Sequence, residues 1–224
     1  MGKFDPSLLY DRDKTWFISD IHFGHENILK FETGYHNFAS IEEHDKTIVA
    51  NWFSLVDQDD TVFFLGDISM PRIKLSYIKE LMKDLPGKIV WIWGNHDSHI
   101  DETWQKELRS VANIIEFTNY KEIFIKCKGP TGYPYGYDFL RKIVLFHYPI
   151  AEHNGVYHDT YHAYGHVHEK IYPIKNAYPV SACLTDYKPV KYEWLEQKIS
   201  EHNERFNRFG QSNIQPVKSP LPRT

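Results

Sequence analysis

Five short polar motifs, each carrying a histidine or a carboxylate, follow one another along most of the chain. Carboxylate, amide and imidazole groups without any thiolate form a ligand set that favours Mn, Fe, Zn, Co or Ni over Ca or a structural zinc. The seven ligands on offer are enough for two metal ions that share one bridging carboxylate. The motifs are Asp20-Ile21-His22, Gly66-Asp67, Gly94-Asn95-His96-Asp97, His147 and Gly165-His166-Val167-His168.

The first and last motifs place two metal-binding side chains two residues apart, Asp20 with His22 and His166 with His168. Along an extended backbone, alternate side chains point to the same side. We therefore expect each pair to reach one ion, with the two pairs on opposite sides of the site. Gly165, just before the second pair, lets the backbone turn sharply or approach a ligand closely.

Apolar runs typical of buried strands end where four of the motifs begin. They cover residues 15–18, 61–65, 89–93 and 143–146. Helices are predicted between them, at 41–55, where Ser40 and Glu43 form a capping box, and at 73–85, before Pro86. In α/β proteins ligands collect beyond the carboxyl ends of the strands, so we expect the motifs to meet there.

The second half of the chain has short strand-like runs at 121–126, 141–146, 160–164 and 178–182, which predict an added antiparallel portion. A charged helix is predicted at 192–209. Residues 210–224 contain three prolines and little apolar content, so we expect a flexible tail there. No linker divides the rest, and residues 1–209 are predicted to form a single domain.

The net charge of −4, from 26 basic and 30 acidic residues, provides no basic field for holding long nucleic acid through its phosphates. A small phosphate-containing ligand is compatible with this charge, because bound metal ions would dominate the local potential. Two cysteines, no signal-like N-terminus and no apolar stretch of membrane-spanning length predict a cytoplasmic protein that does not enter membranes. The sequence does not specify an oligomeric state.

The ordered set of motifs resembles that of the calcineurin-like metallophosphoesterase superfamily, in particular its small bacterial or phage members. The family motifs run Asp-x-His, Gly-Asp, Gly-Asn-His-Asp/Glu, His and Gly-His-x-His, and all of them occur in that order between Asp20 and His168. The resemblance implies an α/β fold of two packed mixed β-sheets, a β-sandwich flanked by α-helices, with the metals at one edge of the sheets.

The resemblance also implies a role for each motif residue in a binuclear centre. Asp67 would bridge the two metals, and His96 would be the catalytic general acid that protonates the leaving oxygen. Two divalent ions, with manganese favoured, would hold a bridging hydroxide for attack on phosphorus. The remaining ligands divide into one set for each metal, Asp20, His22 and His168 for the first and Asn95, His147 and His166 for the second.

One position departs from the pattern of many family members. Their motif Gly-Asp-x-x-Asp ends in a carboxylate that supports the catalytic histidine, whereas this chain has Met70 there. Asp97 is a candidate for that supporting role because it follows His96 directly. His25 either supports the first ligand pair or contacts phosphate, or else makes a hydrogen bond at a helix start. Arg72 is interpreted as a surface arginine rather than a phosphate clamp.

These features favour a phosphodiesterase that hydrolyses a small, nucleotide-like substrate. A phosphomonoesterase and a DNA or RNA nuclease of the same superfamily are the alternatives, and the charge balance disfavours the nuclease. A non-catalytic scaffold that binds partner proteins is disfavoured because every ligand position is filled. The tyrosine-rich segment 129–137 either stacks on a nucleobase near the site or packs on itself as a hairpin tip.

Overall fold

A computed structural model of the chain describes residues 5–31, 38–127, 139–209 and 217–218. The helices are α1 (Ile28–Phe31), α2 (Ile41–Leu55), α3 (Leu75–Met82), α4 (Glu102–Arg109) and α5 (Tyr192–Phe209). The strands are β1 (Leu9–Asp11), β2 (Thr15–Ile18), β3 (Thr61–Phe64), β4 (Lys88–Ile92), β5 (Ile114–Thr118), β6 (Tyr120–Cys127), β7 (Phe139–Phe146), β8 (Tyr161–Tyr164), β9 (Lys170–Ile171), β10 (Ala177–Pro179), β11 (Val190–Lys191) and β12 (Val217–Lys218).

The first sheet has the strand order β11-β2-β3-β4-β5. Its four strands β2 to β5 are parallel neighbours, and β11 pairs antiparallel with β2 at the edge. Parallel strands need long crossovers, which the helices α2, α3 and α4 provide. All of the carboxyl ends of β2 to β5 therefore lie at the same end of the sheet.

The second sheet has the order β1-β6-β7-β8-β10. The antiparallel expectation for this half is correct for the β6–β7 pair, which aligns over eight residues. It is wrong for β7, β8 and β10, which run parallel to one another. Because β7 and β8 are parallel, the polar segments that follow them emerge at the same end of the sheet. Within the predicted tail, Val217–Lys218 pairs antiparallel with β9.

Helix α2 begins and ends as the sequence predicts. The hydroxyl of Ser40 accepts a hydrogen bond from the Glu43 backbone N–H at 3.2 Å, which caps the helix. The Glu43 carboxylate completes the return bond one residue earlier than in a standard capping box, on the N–H of Ala39. Helix α5 also matches its predicted span, whereas α3 is shorter than predicted at both ends.

Two apolar layers hold these elements together, one on each face of the first sheet. Side chains alternate between the two faces along a strand, so consecutive apolar residues enter different layers. The outer layer packs the sheet against the helices and includes Trp16, Ile18, Val62, Phe64, Ile48, Trp52, Ile78 and Leu108. The inner layer lies between the two sheets and α5 and includes Phe17, Phe63, Val90, Ile123, Ile143, Leu145, Leu195 and Ile199.

These layers explain why the sequence of the central strands reads as continuously apolar. Phe17 faces the second sheet while Trp16 and Ile18 face the helices, and all three are buried. The predicted architecture of two packed mixed sheets flanked by helices is confirmed. In the ranges that the structure describes, no helix combines the length and apolarity that a membrane crossing requires.

Candidate metal centre

All of the predicted ligands lie just beyond the carboxyl ends of five strands. Asp20 and His22 follow β2, Asp67 follows β3, and Asn95 follows β4. From the second sheet, His147 follows β7, and His166 and His168 follow β8. The two packed sheets thus bring these segments to one end of the sandwich, where the ligand atoms meet in two clusters.

The backbone at the ligands is not extended, contrary to the expectation for the two spaced pairs. The φ angle is positive at Asp20 (54°), His22 (42°), Asp67 (61°), His166 (71°) and His168 (50°). Residues other than glycine rarely adopt this left-handed conformation, which costs about 1–3 kcal/mol each. The chain therefore turns its ligand side chains inward through local strain that the surrounding packing compensates.

Two glycines permit the close approach of the loops. A Cβ atom at Gly94 would overlap the carboxylate and the backbone nitrogen of Asp67. A Cβ atom at Gly165 would lie 2.7 Å from Oδ2 of Asp20 and 2.6 Å from Oγ of Ser19. Any side chain at either position would push a predicted ligand out of the centre.

The first cluster consists of Asp20, His22 and His168, whose ligand atoms lie within 4.8 Å of one another. The imidazole rings of His22 and His168 stack with a centroid distance of 5.0 Å. Oδ2 of Asp20 accepts hydrogen bonds from the hydroxyls of Ser19 and Ser181, each at 2.6 Å. These hydroxyls hold the carboxylate in place within the cluster.

Among the members of the first cluster, His22 gives the strongest indication of a metal site. It is 2% exposed, and neither of its ring nitrogens has a hydrogen-bond partner among the described residues. Burial, and then the neighbouring His168, hold the pKa of His22 well below its ordinary value, so the ring is neutral at pH 7. A buried polar atom without a hydrogen-bond partner lowers the stability of the folded protein by about 1–3 kcal/mol. A metal ion would bind the lone pair on the unprotonated ring nitrogen of His22. The donor set therefore fits a divalent cation.

The second cluster consists of Asp67, His147 and His166, again within 4.8 Å, with Asn95 beside them. Oδ1 of Asn95 lies 3.0 Å from Nε2 of His147 and 2.8 Å from Nδ1 of His166. Nδ1 of His147 donates to the carbonyl of Leu65 at 2.6 Å. That bond leaves Nε2 of His147 facing the cluster, the arrangement common to metal-binding histidines.

Asp67 lies between the two clusters. Its Oδ2 is 3.8 Å from Nε2 of His22 and 3.4 Å from Nε2 of His147. Its Oδ1 accepts the backbone N–H of His96 at 2.8 Å. Although burial opposes both shifts, the mutual attraction lowers the pKa of Asp67 and raises the pKa of His147 to about 9. One carboxylate oxygen is thus placed where it could contact an ion in either cluster.

Asp97 is buried directly behind Asp67 and His96, at 2% exposure. Burial raises the pKa of its carboxyl, against the hydrogen bonds that it accepts. Its four hydrogen bonds, of 2.9–3.0 Å, come from the backbone N–H groups of Asp67, Ile68 and Gly94 and from the indole of Trp91. None of these four bonds involves the His96 imidazole. Asp97 therefore fixes the loops that carry Asp67 and His96, and acts on the His96 ring only through the backbone.

His96 itself is half-buried at the mouth of the site, on the turn that follows β4. Its ring centroid lies 5.4 Å from that of His22. The side chain is therefore adjacent to the first cluster, while its backbone N–H donates to the carboxylate of Asp67, which lies between the two clusters.

His25 combines the two roles that the sequence left open. Its backbone N–H donates to the carbonyl of His22, and its carbonyl accepts from Ile28 at the start of α1. Its Nδ1 lies 3.3 Å from Nη2 of Arg72, and its ring is 5.9 Å from that of His22. Arg72 is exposed, as expected, but its guanidinium still reaches the wall of the first cluster.

Several residues at the site are not predicted from the sequence. Tyr148 packs its ring 4.6 Å from that of His166 and stays 38% exposed, and its position next to His147 could have signalled it. Ser19 adjoins Asp20 in the same way. Ser181 approaches from a segment without any motif, so nothing in the sequence marks it. The tyrosine-rich segment 129–137 lies outside the described residues.

Comparison with known proteins agrees with this geometry. A family model described as calcineurin-like phosphoesterase matches residues 14–206. An uncharacterized protein of Methanocaldococcus jannaschii is 30% identical over 190 residues, which cover 84% of this chain and 92% of that protein. The gene 66 protein of Mycobacterium phage L5 is 44% identical over 86 residues, 37% of this chain and 39% of the phage protein.

A solved structure shares the fold as well. A protein of unknown function from Aquifex aeolicus superposes with a TM-score of 0.59 at 25% identity, covering 83% of this chain and 98% of that chain. The family match extends over most of the chain and includes all seven predicted ligands. The chain therefore belongs to the calcineurin-like phosphoesterases, a family of metal-dependent phosphoester hydrolases.

Proposed function

We propose that this protein is a binuclear metal-dependent phosphodiesterase that acts on a small, nucleotide-like substrate. The observation that carries the proposal is the position of Asp67, whose Oδ2 lies within 4 Å of imidazole nitrogens from both clusters. A carboxylate shared in this way is what a pair of neighbouring cations requires. The two clusters on either side supply the remaining ligands.

The residues divide between the two cations as the geometry groups them. Asp20, His22 and His168 would hold one ion, and Asn95, His147 and His166 the other, with Asp67 shared. Oxygen and nitrogen ligands suit Mn, which we favour, and also Fe, Zn, Co or Ni. When bound, such ions activate water as a nucleophile and neutralise the charge that develops on the phosphoryl oxygens.

His96 would provide the proton for the leaving oxygen. Its ring lies beside the first cluster at the solvent-facing mouth of the site, where a phosphoester can reach it. The bond from its backbone N–H to Asp67 fixes the start of the side chain relative to both clusters. An imidazole side chain is suited to proton transfer of this kind.

A small diester is favoured over a polymer because the net charge of −4 provides no basic surface for long nucleic acid. The chain also carries Met70 in place of the second aspartate of the protein-phosphatase motif. We infer a cytoplasmic enzyme from the low cysteine content.

A substrate and metal screen tests the proposal. Metal-free protein would be loaded with each candidate cation and assayed on bis(4-nitrophenyl) phosphate, 4-nitrophenyl phosphate, cyclic nucleotides and single-stranded DNA. We expect diesters to be hydrolysed at least about tenfold faster than the monoester. A monoester preference would indicate a phosphomonoesterase, salt-sensitive cleavage of DNA would indicate a nuclease, and no hydrolysis with any cation would contradict an enzymatic function.

The role of His96 has its own test. His96→Ala should retain two metal equivalents but lose about 10²–10⁴-fold in turnover on diesters with poor leaving groups. On an activated nitrophenyl ester the loss should be much smaller, because that leaving group needs no proton. His158→Ala is the matched control, since His158 is exposed and belongs to neither cluster. Equal losses on both kinds of ester would remove His96 from proton transfer.

A further inference from the structure

A cavity of about 320 Å³ opens beside the metal centre, between α1 and the segment that follows β8. Two of its wall residues, His166 and His168, belong to the two clusters, so the cavity is continuous with the place where a phosphoryl group would bind. Among the residues that the structure describes, its wall comprises Ile28, Phe31, His166, Val167, His168, Glu169, Lys170 and Tyr172.

The wall away from the clusters is mainly apolar and aromatic. Ile28 and Val167 are buried, and Tyr172 is half-buried against the small apolar cluster around Tyr164. Phe31 is 68% exposed, which is high for a large apolar side chain next to a polar site. Such a surface binds a flat or apolar group better than it binds water.

The wall also contains charged side chains of both signs. Glu169 is half-buried and Lys170 is exposed at the start of β9. Apolar and aromatic surface beside a few polar groups is typical of sites for small organic ligands, and 320 Å³ is at the lower end of their size range. The phosphoryl oxygens would be bound by the clusters, so this volume remains for an organic substituent.

We propose that this cavity binds the nucleoside that a phosphodiester substrate retains after hydrolysis, and that Phe31 and Tyr172 contact its base. This assignment rests on the proposed function. The cavity wall, within the described part of the chain, does not include His96. The leaving oxygen must face His96, so the group in the cavity is the one that stays esterified. Water supplies the new P–O bond, the bond to the leaving group breaks, and that group departs protonated as an alcohol.

Two chromogenic diesters with the same leaving group test this assignment. Thymidine 5′-(4-nitrophenyl phosphate) and methyl 4-nitrophenyl phosphate release the same nitrophenol and differ only in the retained group. We expect the wild-type KM to be at least about tenfold lower for the thymidine ester, since one stacked base contributes about 1–3 kcal/mol. Equal KM values for the two esters would overturn the proposal while leaving the hydrolase function intact.

Variants then assign the effect to the cavity. Phe31→Ala and Tyr172→Ala should raise KM for the thymidine ester about tenfold relative to KM for the methyl ester, with kcat little changed. Phe53→Ala, which removes a 48% exposed phenylalanine from α2, is the matched control and should affect neither ester. Equal increases on both esters, or no increase, would contradict a nucleoside site here.

The failure of the proposed function would look different. If no cation supports hydrolysis of either ester, binding of thymidine 5′-monophosphate and of methyl phosphate to the metal-loaded protein decides the question by calorimetry. Tighter binding of the nucleotide, reduced about tenfold by Phe31→Ala, would still support the cavity assignment. Equal affinities for the two phosphates would overturn it.

Discussion

The two clusters are built from similar side chains but differ in burial and in hydrogen bonding. In the first cluster, His22 is 2% exposed and its ring nitrogens have no hydrogen-bond partner among the described residues. In the second cluster, His147 is held by the Leu65 carbonyl, and His166 is exposed beside Asn95. An ion would satisfy the buried ring nitrogens of His22 in the first cluster, whereas the second cluster is already hydrogen-bonded and is open to solvent at His166.

The supports behind the clusters differ as well. The carboxylate of Asp20 accepts hydrogen bonds from the hydroxyls of Ser19 and Ser181 and from the backbone N–H of His166. The loops of the second cluster depend on the single buried carboxylate of Asp97, which accepts four hydrogen bonds. We infer that the first cluster binds its ion more tightly and that the second cluster exchanges ligands more readily. The predictions below test this difference, beginning with the residue that the clusters share.

Removing the charge of Asp67 should affect both clusters at once. Asp67→Asn keeps the size of the side chain, but an amide is a poor bridge between two cations. We expect turnover to fall by about 10³-fold or more and bound metal to fall below two equivalents. Metal analysis and steady-state assays would measure this, with the exposed Asp186→Asn as control. A variant that kept two equivalents and near-normal turnover would contradict a bridging role.

Truncating one histidine in each cluster should lower the metal affinity of the two clusters by different amounts. His22→Ala vacates a buried position, and we expect the manganese affinity of the first cluster to fall by about 100-fold or more. His166→Ala vacates an exposed position that water can occupy, so we expect a smaller loss, about tenfold, at the second cluster. Titration calorimetry of the metal-free variants would measure both. Equal losses would show that burial does not distinguish the clusters.

The hydrogen bonds that support the two clusters can be compared through the free energy of unfolding. Asp97→Ala leaves three backbone N–H groups and the Trp91 indole buried without their acceptor, and should lower the free energy of unfolding by about 3 kcal/mol or more. Ser181→Ala removes one hydroxyl from Asp20 and should cost about 1 kcal/mol. Denaturant unfolding of the metal-free proteins checks the order. The reverse order would place the principal support at the first cluster.

The two clusters should also respond differently to pH. The pKa of His147 is raised to about 9 by Asp67, so its proton stabilises the metal-free protein below pH 6.5, and that contribution is lost as the pH rises through 9. A metal ion must displace this proton, so affinity at the second cluster should increase by up to about tenfold per pH unit between 6.5 and 9.

The pKa of His22 is lowered, so its ring carries no proton to displace near neutral pH. Affinity at the first cluster should therefore change little over the same interval. Calorimetric titrations at pH 6.5, 7.5 and 8.5, with buffers of different ionisation enthalpy, would count the protons released at each cluster. Parallel pH dependence of the two affinities would contradict this difference.

The sequence predicts the parts of the fold that depend on local patterns. The spans of β2, α2 and α5 agree with prediction because each has an unbroken apolar run or a capped helical period. Helix α4 was not predicted, since seven of its eight residues are not buried and half of the eight are charged. The parallel pairing of β7 with β8 depends on the packing of distant segments, which no local pattern encodes.

At the site, too, the sequence predicts which residues take part but not the features that depend on tertiary packing. Side-chain type and order predict which seven residues assemble, and the structure brings six of them together in two clusters, with Asn95, the seventh, beside the second. The left-handed backbone at Asp20 and His22 was not predicted, because strained conformations are imposed by tertiary packing. The contribution of Ser181 depends on a contact across 161 residues of sequence.

Anomalous diffraction from crystals soaked in manganese would test the central claim most directly. We predict two anomalous peaks about 3.5–4 Å apart, one in each cluster, with the Asp67 carboxylate bonded to both ions. A single peak, or two peaks without Asp67 between them, would contradict the binuclear centre.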